Sequence, residues 1–184
     1  MVHWQSSDFQ IAEKLECHNP IRYTDNGDIL AIAVVLREGI RSAVWNQEGF
    51  AADITQLPPS MWGVADSVSC LHALEHFGLG RYGDPIMPDG YVQGLRALWS
   101  LLAPGGVLYL SVPMGRQRIE FNAHRVFALQ TILDLIAGLF DVSNFSYIDD
   151  GGRLHENTSL CDEGQVSASF GLEYGCAIFE LSRK

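Results

Sequence analysis

Residues 64–113 constrain this chain more than any other stretch. They read as a strand, then Leu71-His72-Ala73-Leu74-Glu75-His76, then a loop rich in glycine and proline. An amphipathic helix, Pro104-Gly105-Gly106 and a second, almost wholly apolar strand at 107–112 follow. A near-continuous apolar run is what a strand buried on both faces looks like, and such strands belong to sheets covered by helices. Open α/β sheets bind ligands at the carboxyl ends of their strands. The histidines and carboxylate of this stretch fall at that end, so it indicates both a fold class and the edge where chemistry should be sought.

The bulk composition agrees with one globular domain over residues 1–184. The chain is 47% hydrophobic and 18% charged, which separates it from disordered sequences. A chain of this length buries roughly 70% of its unfolded surface and needs no metal or disulfide staple. The net charge of −10 argues against nucleic acid, which requires a basic footprint, and against anionic membranes. A small neutral or cationic partner suits it better. Cys17, Cys70, Cys161 and Cys176 are scattered, without metal-ligand spacing. Cys70 and Cys176 fall in apolar strand patterns and read as small hydrophobes. No basic segment followed by an apolar run opens the sequence, and the longest apolar run, 29–36, falls far short of the ~20 residues of a spanning helix. The expectation is a cytoplasmic protein. Its oligomeric state is not legible.

Along the chain, the pattern predicts a short helix at 8–16, a strand at 21–24 and a turn at Asp25-Asn26-Gly27-Asp28. Residues 29–36 lack a period; Asp28 as cap and Gly39 as stop favour a helix over a buried strand. A strand follows at 40–45. Residues 53–59 form a loop, 65–71 a buried strand and 77–89 a loop. Asp89 caps a helix at 90–102, with Val92, Leu95, Leu98, Trp99 and Leu102 inward, and Pro104-Gly105-Gly106 stops it. After the strand at 107–112 come a polar loop at 114–125, a helix at 127–140, a strand at 142–148, a turn at 149–152 and a last strand at 174–181. This order is α/β, with a final pair suited to antiparallel pairing.

Candidate chemistry gathers after the two buried strands. His76 suits a general base near neutral pH, with Glu75 orienting it; the competing reading has His72 and Glu75 simply holding the glycine-rich loop. His72, Glu75 and His76 also match the H-x-x-E-H string of inverted zinc peptidases. That chemistry needs a helix and a third ligand, whereas here the string begins at a strand end, so no metal site is expected. Glu120, Asn122, His124 and Arg125 follow the second strand and reach the same edge. His124 suits a second base, and Arg125 suits a bidentate clamp on a substrate; the alternative is a helix cap with Arg125 paired to Glu120. Asp149, Asp150, His155 and Glu156 read as a solvated acidic turn. The loop at 77–88 suits a lid or a fixed Ω-loop.

The strand, Leu74-Glu75-His76, helix, Pro104-Gly105-Gly106, strand series resembles the second half of class I S-adenosylmethionine-dependent methyltransferases. A closer resemblance is to a small family of unknown function first described from nematode proteins, which shares that fold. The residues that carry it are Leu71-His72-Ala73-Leu74-Glu75-His76-Phe77-Gly78-Leu79-Gly80-Arg81-Tyr82-Gly83-Asp84-Pro85, then Glu120-Phe121-Asn122-Ala123-His124-Arg125-Val126-Phe127, and residues 147–156. It covers residues 51–181. It implies a methyltransferase-like (Rossmann-like), mostly parallel sheet with helices on both faces and an antiparallel last strand, and S-adenosylmethionine as cofactor. The candidate substrate-binding residues are His72, Arg81, Tyr82, Glu120, Asn122 and Arg125.

The cofactor half, residues 1–50, departs from the fold's pattern. The first strand should end in a glycine-rich loop that lets backbone amides approach a ligand; here Asp25 to Asp28 holds only Gly27. Asp25 and Gly27 would face the methionine part and Glu48 the ribose; Asp53 would accept from the adenine amino group, a carboxylate being a suitable acceptor, or cap the next turn of the loop, and Ile54 and Leu71 are further cofactor-binding candidates. Three functions follow: a methyltransferase acting on a small molecule or glycan; a non-catalytic binding or scaffold protein that has lost the cofactor loop; and a metal-dependent hydrolase using His72, His76 and His124.

Overall fold

The computed structural model describes residues 20–25, 28–36, 57–80, 86–120 and 124–184. The predicted helix at 8–16 and strand at 40–45 lie outside them. The described residues form an α/β fold around a seven-stranded sheet. Its strands are β1 (Pro20–Asp25), β2 (Asp28–Leu36), β3 (Ala65–Leu71), β4 (Leu102–Met114), β7 (Phe140–Ile148), β8 (Leu154–His155) and β9 (Gly175–Arg183), in the order β1-β2-β3-β4-β9-β7-β8. β5 (Arg118–Ile119) and β6 (Arg125–Val126) pair separately as an antiparallel ribbon.

The sheet is mixed. β3 and β4 pair in parallel, and β9 inserts antiparallel between β4 and β7. β3, β4 and β7 therefore run one way, and the antiparallel last strand is as expected. The alignments Leu71↔Ser111, Met114↔Gly175 and Ile148↔Cys176 bring the carboxyl ends of β3, β4 and β7 and the amino end of β9 to one edge.

The N-terminal elements correct the expectation. Residues 29–36 are strand, not helix. β2 pairs antiparallel with β1 on one side and β3 on the other. A strand flanked on both sides needs no hydrophobic period, and its Ile and Val content favours an extended chain. Asp25 and Asp28 are paired ends of a hairpin.

Helix α1 (Gly90–Leu101) follows the predicted pattern, with Leu95 and Leu98 buried. Asp89 precedes it without a side-chain capping bond; its carboxylate accepts instead from the Gln93 side chain at 3.0 Å. The Pro104-Gly105-Gly106 segment belongs to β4 rather than to a helix stop. It is accommodated as an irregularity between the Ala65↔Leu102 and Ser67↔Val107 pairs, with Gly105 at φ 76°. Helix α2 (Leu129–Ile136) is shorter than predicted. Phe127 is fully buried, but its N–H donates to the Pro113 carbonyl at 3.0 Å, which keeps it extended. Helix α3 (Glu163–Ser167) was not anticipated; Asp162 Oδ1 caps it by accepting from the Gln165 N–H.

The core lies on the sheet. Val68, Leu108, Leu110, Phe179 and Leu181 pack with Leu95 and Leu98 of α1 and Leu129, Ile132 and Ile136 of α2. Burying side chains of this kind contributes roughly 1.5–3 kcal/mol each. This places a rigid support under the chemical edge.

Candidate functional site at the carboxyl edge

The site starts where β3 leaves the sheet. His72 has φ 48°, an uncommon conformation for a side-chain-bearing residue. Its N–H donates to the Ser111 carbonyl at 3.0 Å and to Ser111 Oγ at 3.2 Å, which pins the turn to β4. A 3₁₀ turn, Leu74–His76, follows. His72 and His76 are therefore not one α-helical turn apart. Glu75 lies between the rings, with Oε1 3.3 Å from His72 Nδ1 and 3.8 Å from His76 Nε2. The rings address a carboxylate rather than a common ligand position, which is not the zinc-peptidase arrangement.

Glu75 is 2% exposed, and among the described residues its buried Oε2 has no hydrogen-bond partner. A buried acceptor left unpaired costs about 1–3 kcal/mol, so this oxygen is a place for a water, ion or ligand donor. On the other side of His72, Nε2 lies 3.2 Å from Cys176 Sγ at the start of β9. Burial works against a charged His72, but the hydrogen bonds to Cys176 and Glu75 outweigh it and push its pKa up to about 11.

A second row of groups faces this one. The His76 and His124 rings meet edge to face, with centroids 5.9 Å apart. The Tyr174 hydroxyl lies 2.9 Å from His124 Nε2, and Arg118 stands 5.9 Å from the Tyr174 ring centroid. Burial first, then the Glu75 charge, raise the pKa of the Tyr174 hydroxyl. The backbone N–H groups of Glu173 and Tyr174 donate to the Asp150 carboxylate at 3.0 and 2.8 Å, which fixes the entry into β9. Asp150 is thus a positioning residue. Asp149 accepts from the Gly151 and Arg153 N–H groups and bonds His155, which stacks on Tyr147. Those contacts suit a turn support.

Arg125 takes a different part from the substrate clamp expected of it. It is 3% exposed, and its guanidinium donates to the carbonyls of Glu75, Phe77 and Pro88 at 3.3, 2.6 and 3.3 Å. It also lies over the Tyr91 ring, 4.8 Å from its centroid. These contacts tie the 3₁₀ turn to both ends of the loop that follows. Glu120 pairs with Arg118 at 2.5 Å, not with Arg125. The loop base is fixed further by the Met87 N–H donating to the Gly78 carbonyl at 2.9 Å. Arg81, Tyr82 and Asn122 lie outside the described residues, as do Gly27, Glu48, Asp53 and Ile54.

The structure thus brings His72, Glu75, His76 and His124 together and adds Tyr174 and Cys176. The added pair stands at the start of β9, and only the topology shows that an antiparallel last strand begins where the parallel strands end. Cys176 was read as a small hydrophobe, but it is half-buried and bonded to His72. Cys70 remains the inert case, fully buried, with burial pushing its thiol pKa up.

An α/β protein with a histidine- and carboxylate-bearing site at the carboxyl edge of its sheet is the class that fold and geometry define. Residues 51–162 match the family described as Caenorhabditis protein of unknown function, DUF268, and the chain belongs to it. No curated protein matches the sequence. Among solved structures, the 4+2 cyclase SpnF is similar at 14% identity and a TM-score of 0.48, over 74% of this chain and 56% of that one. The 16S rRNA (adenine(1408)-N(1))-methyltransferase of Catenulisporales acidiphilia is similar at 16% identity and a TM-score of 0.42, over 72% and 61%. The Burkholderia thailandensis 1,6-didemethyltoxoflavin-N1-methyltransferase is similar at 15% identity and a TM-score of 0.42, over 74% and 50%. The chain spans about half to three-fifths of the length of these structures.

The described residues fit S-adenosylmethionine in charge. The Glu75 carboxylate, whose Oε2 has no hydrogen-bond partner among the described residues, is an acceptor of the kind that suits a sulfonium or ammonium group. Asp25 and Asp28 pair at the ends of β1 and β2, and the cofactor reading of Gly27 lies outside the described residues. The register with β3 carries those paired ends toward the edge that His72 occupies.

Proposed function

We propose that this protein is an S-adenosylmethionine-dependent methyltransferase acting on a small molecule or glycan. The observation that carries the reading is the convergence of His72, Glu75, His76, His124 and Tyr174 on the edge where β3 and β4 end and β9 begins. The family resemblance supports the cofactor.

The cofactor, when bound, supplies a methyl group on a positively charged sulfur. The residues proposed to hold it are Leu71 at the end of β3 and Glu48, Asp53 and Ile54, with Glu75 contributing charge. The remaining work belongs to positioning and proton removal. His76 or His124 takes the proton from a substrate hydroxyl or amine. Glu75 steadies the His76 imidazole, and Tyr174 orients the His124 ring through its 2.9 Å contact. His72 and Glu120 border this space. The acidic overall charge of −10 favours a partner other than nucleic acid or an anionic membrane. Among the described residues, no helix is long and apolar enough to cross a membrane.

The test is transfer of a labelled methyl group from S-adenosylmethionine to a panel of small hydroxyl and amine compounds and oligosaccharides. The expected result is transfer to at least one class, with His76→Gln or His124→Gln lowering kcat by roughly 10²-fold, as loss of a general base does. Absence of transfer across the panel, or wild-type rates in both variants, contradicts the proposal.

A further inference from the structure

We propose that Cys176, His72 and Glu75 form a nucleophile–base–carboxylate series that takes an acyl group from an activated ester. This inference does not rest on cofactor binding. Cys176 Sγ is 3.2 Å from His72 Nε2, and His72 Nδ1 is 3.3 Å from Glu75 Oε1. The two ring nitrogens thus face a thiol on one side and a carboxylate on the other, which is the arrangement that activates a thiol nucleophile.

Three further observations support it. Cys176 is half-buried rather than enclosed, and it opens at the carboxyl edge. Glu75 is 2% exposed, which fixes its carboxylate beside His72, and among the described residues Oε2 has no hydrogen-bond partner. The strained φ of 48° at His72, locked by two bonds to Ser111, sets the ring between its two neighbours. Among the described residues, Glu75 faces His72 from the 3₁₀ turn, and Tyr174 interacts electrostatically with Cys176 from the residues before β9.

The step balances without a co-reactant. The thiol proton passes to His72 Nε2, and the sulfur attacks the acyl carbon, so an S–C bond forms. The ester C–O bond breaks, and the departing alkoxide takes the proton from Nε2 to leave as an alcohol. Water then attacks the thioester, giving a proton to His72 as it does so. The S–C bond breaks, the acid leaves, and the proton returns to sulfur.

The experiment uses the full chain and p-nitrophenyl acetate, with peptide mapping of the acetyl group. Cys161, exposed and without a described histidine contact, is the internal reference. The expected result is a burst of one nitrophenolate per chain, with the acetyl group on Cys176 and a rate at least about tenfold above that at Cys161 near pH 7. His72→Gln and His72→Asn remove that excess, whereas Cys161→Ser leaves it. Circular dichroism establishes that both His72 variants are folded. Acetylation of Cys176 no faster than of Cys161 in the unmodified protein overturns the proposal, and this comparison needs no variant.

Discussion

At the residue scale, two side chains that look alike in a string of polar residues do opposite things. Arg125 reads from sequence as a clamp for an anion, yet it is buried and spends its guanidinium on the carbonyls of Glu75, Phe77 and Pro88. Arg125→Ala should destabilise the protein by about 3–5 kcal/mol, as loss of a buried, hydrogen-bonded charge does. Arg125→Lys should recover little, because an ammonium does not reproduce the forked contacts of the guanidinium with three carbonyls. Denaturant unfolding measures both. His72 behaves differently. Its pKa is raised in the fold, so its protonated form stabilises the native state. That contribution is fully present below its ordinary value of 6.5 and is lost as pH rises toward about 11. The stability of wild type relative to His72→Gln should therefore fall between those limits in pH-dependent unfolding; a constant difference contradicts the assignment. Residue identities alone placed His72, Glu75, His76 and His124 on one edge. They did not reveal Cys176 or Tyr174, because the partners of these two lie 104 and 50 positions away in the chain.

At the element scale, the loop after the 3₁₀ turn shows what glycine and proline content can and cannot tell. It marks a loop, and the structure adds that the loop base is fixed. Gly78 has φ 74°, and a Cβ there would fall 2.1 Å from the Met87 carbonyl oxygen and 3.0 Å from Gly90 Cα. Gly78→Ala should therefore cost more than about 2 kcal/mol, from the left-handed backbone and the backbone clash together. Thermal unfolding checks this, with Gly138→Ala as the control, since nothing lies within 4 Å of its added methyl. β2 gives the complementary lesson. An apolar run without a period is equally compatible with a buried helix and a buried strand, and only its pairing with β1 and β3 decides. α1 was legible because one of its faces is polar and its period shows.

At the scale of the whole molecule, the two halves differ in how directly sequence speaks. From β3 onward, long apolar strands and one amphipathic helix announce an α/β sheet. The insertion of β9 between β4 and β7 then assembles the site from segments far apart in the chain. Toward the N-terminus, the described residues form the antiparallel pair β1 and β2, where the sequence pattern favours a helix for residues 29–36. Methyl transfer depends on whether this edge holds the cofactor, and calorimetric titration of the full chain with S-adenosylhomocysteine asks that most directly. The account predicts saturable one-to-one binding with Kd of about 100 µM or tighter, weakened by Glu75→Gln. No binding heat up to millimolar ligand, with the protein shown to be folded, would contradict it.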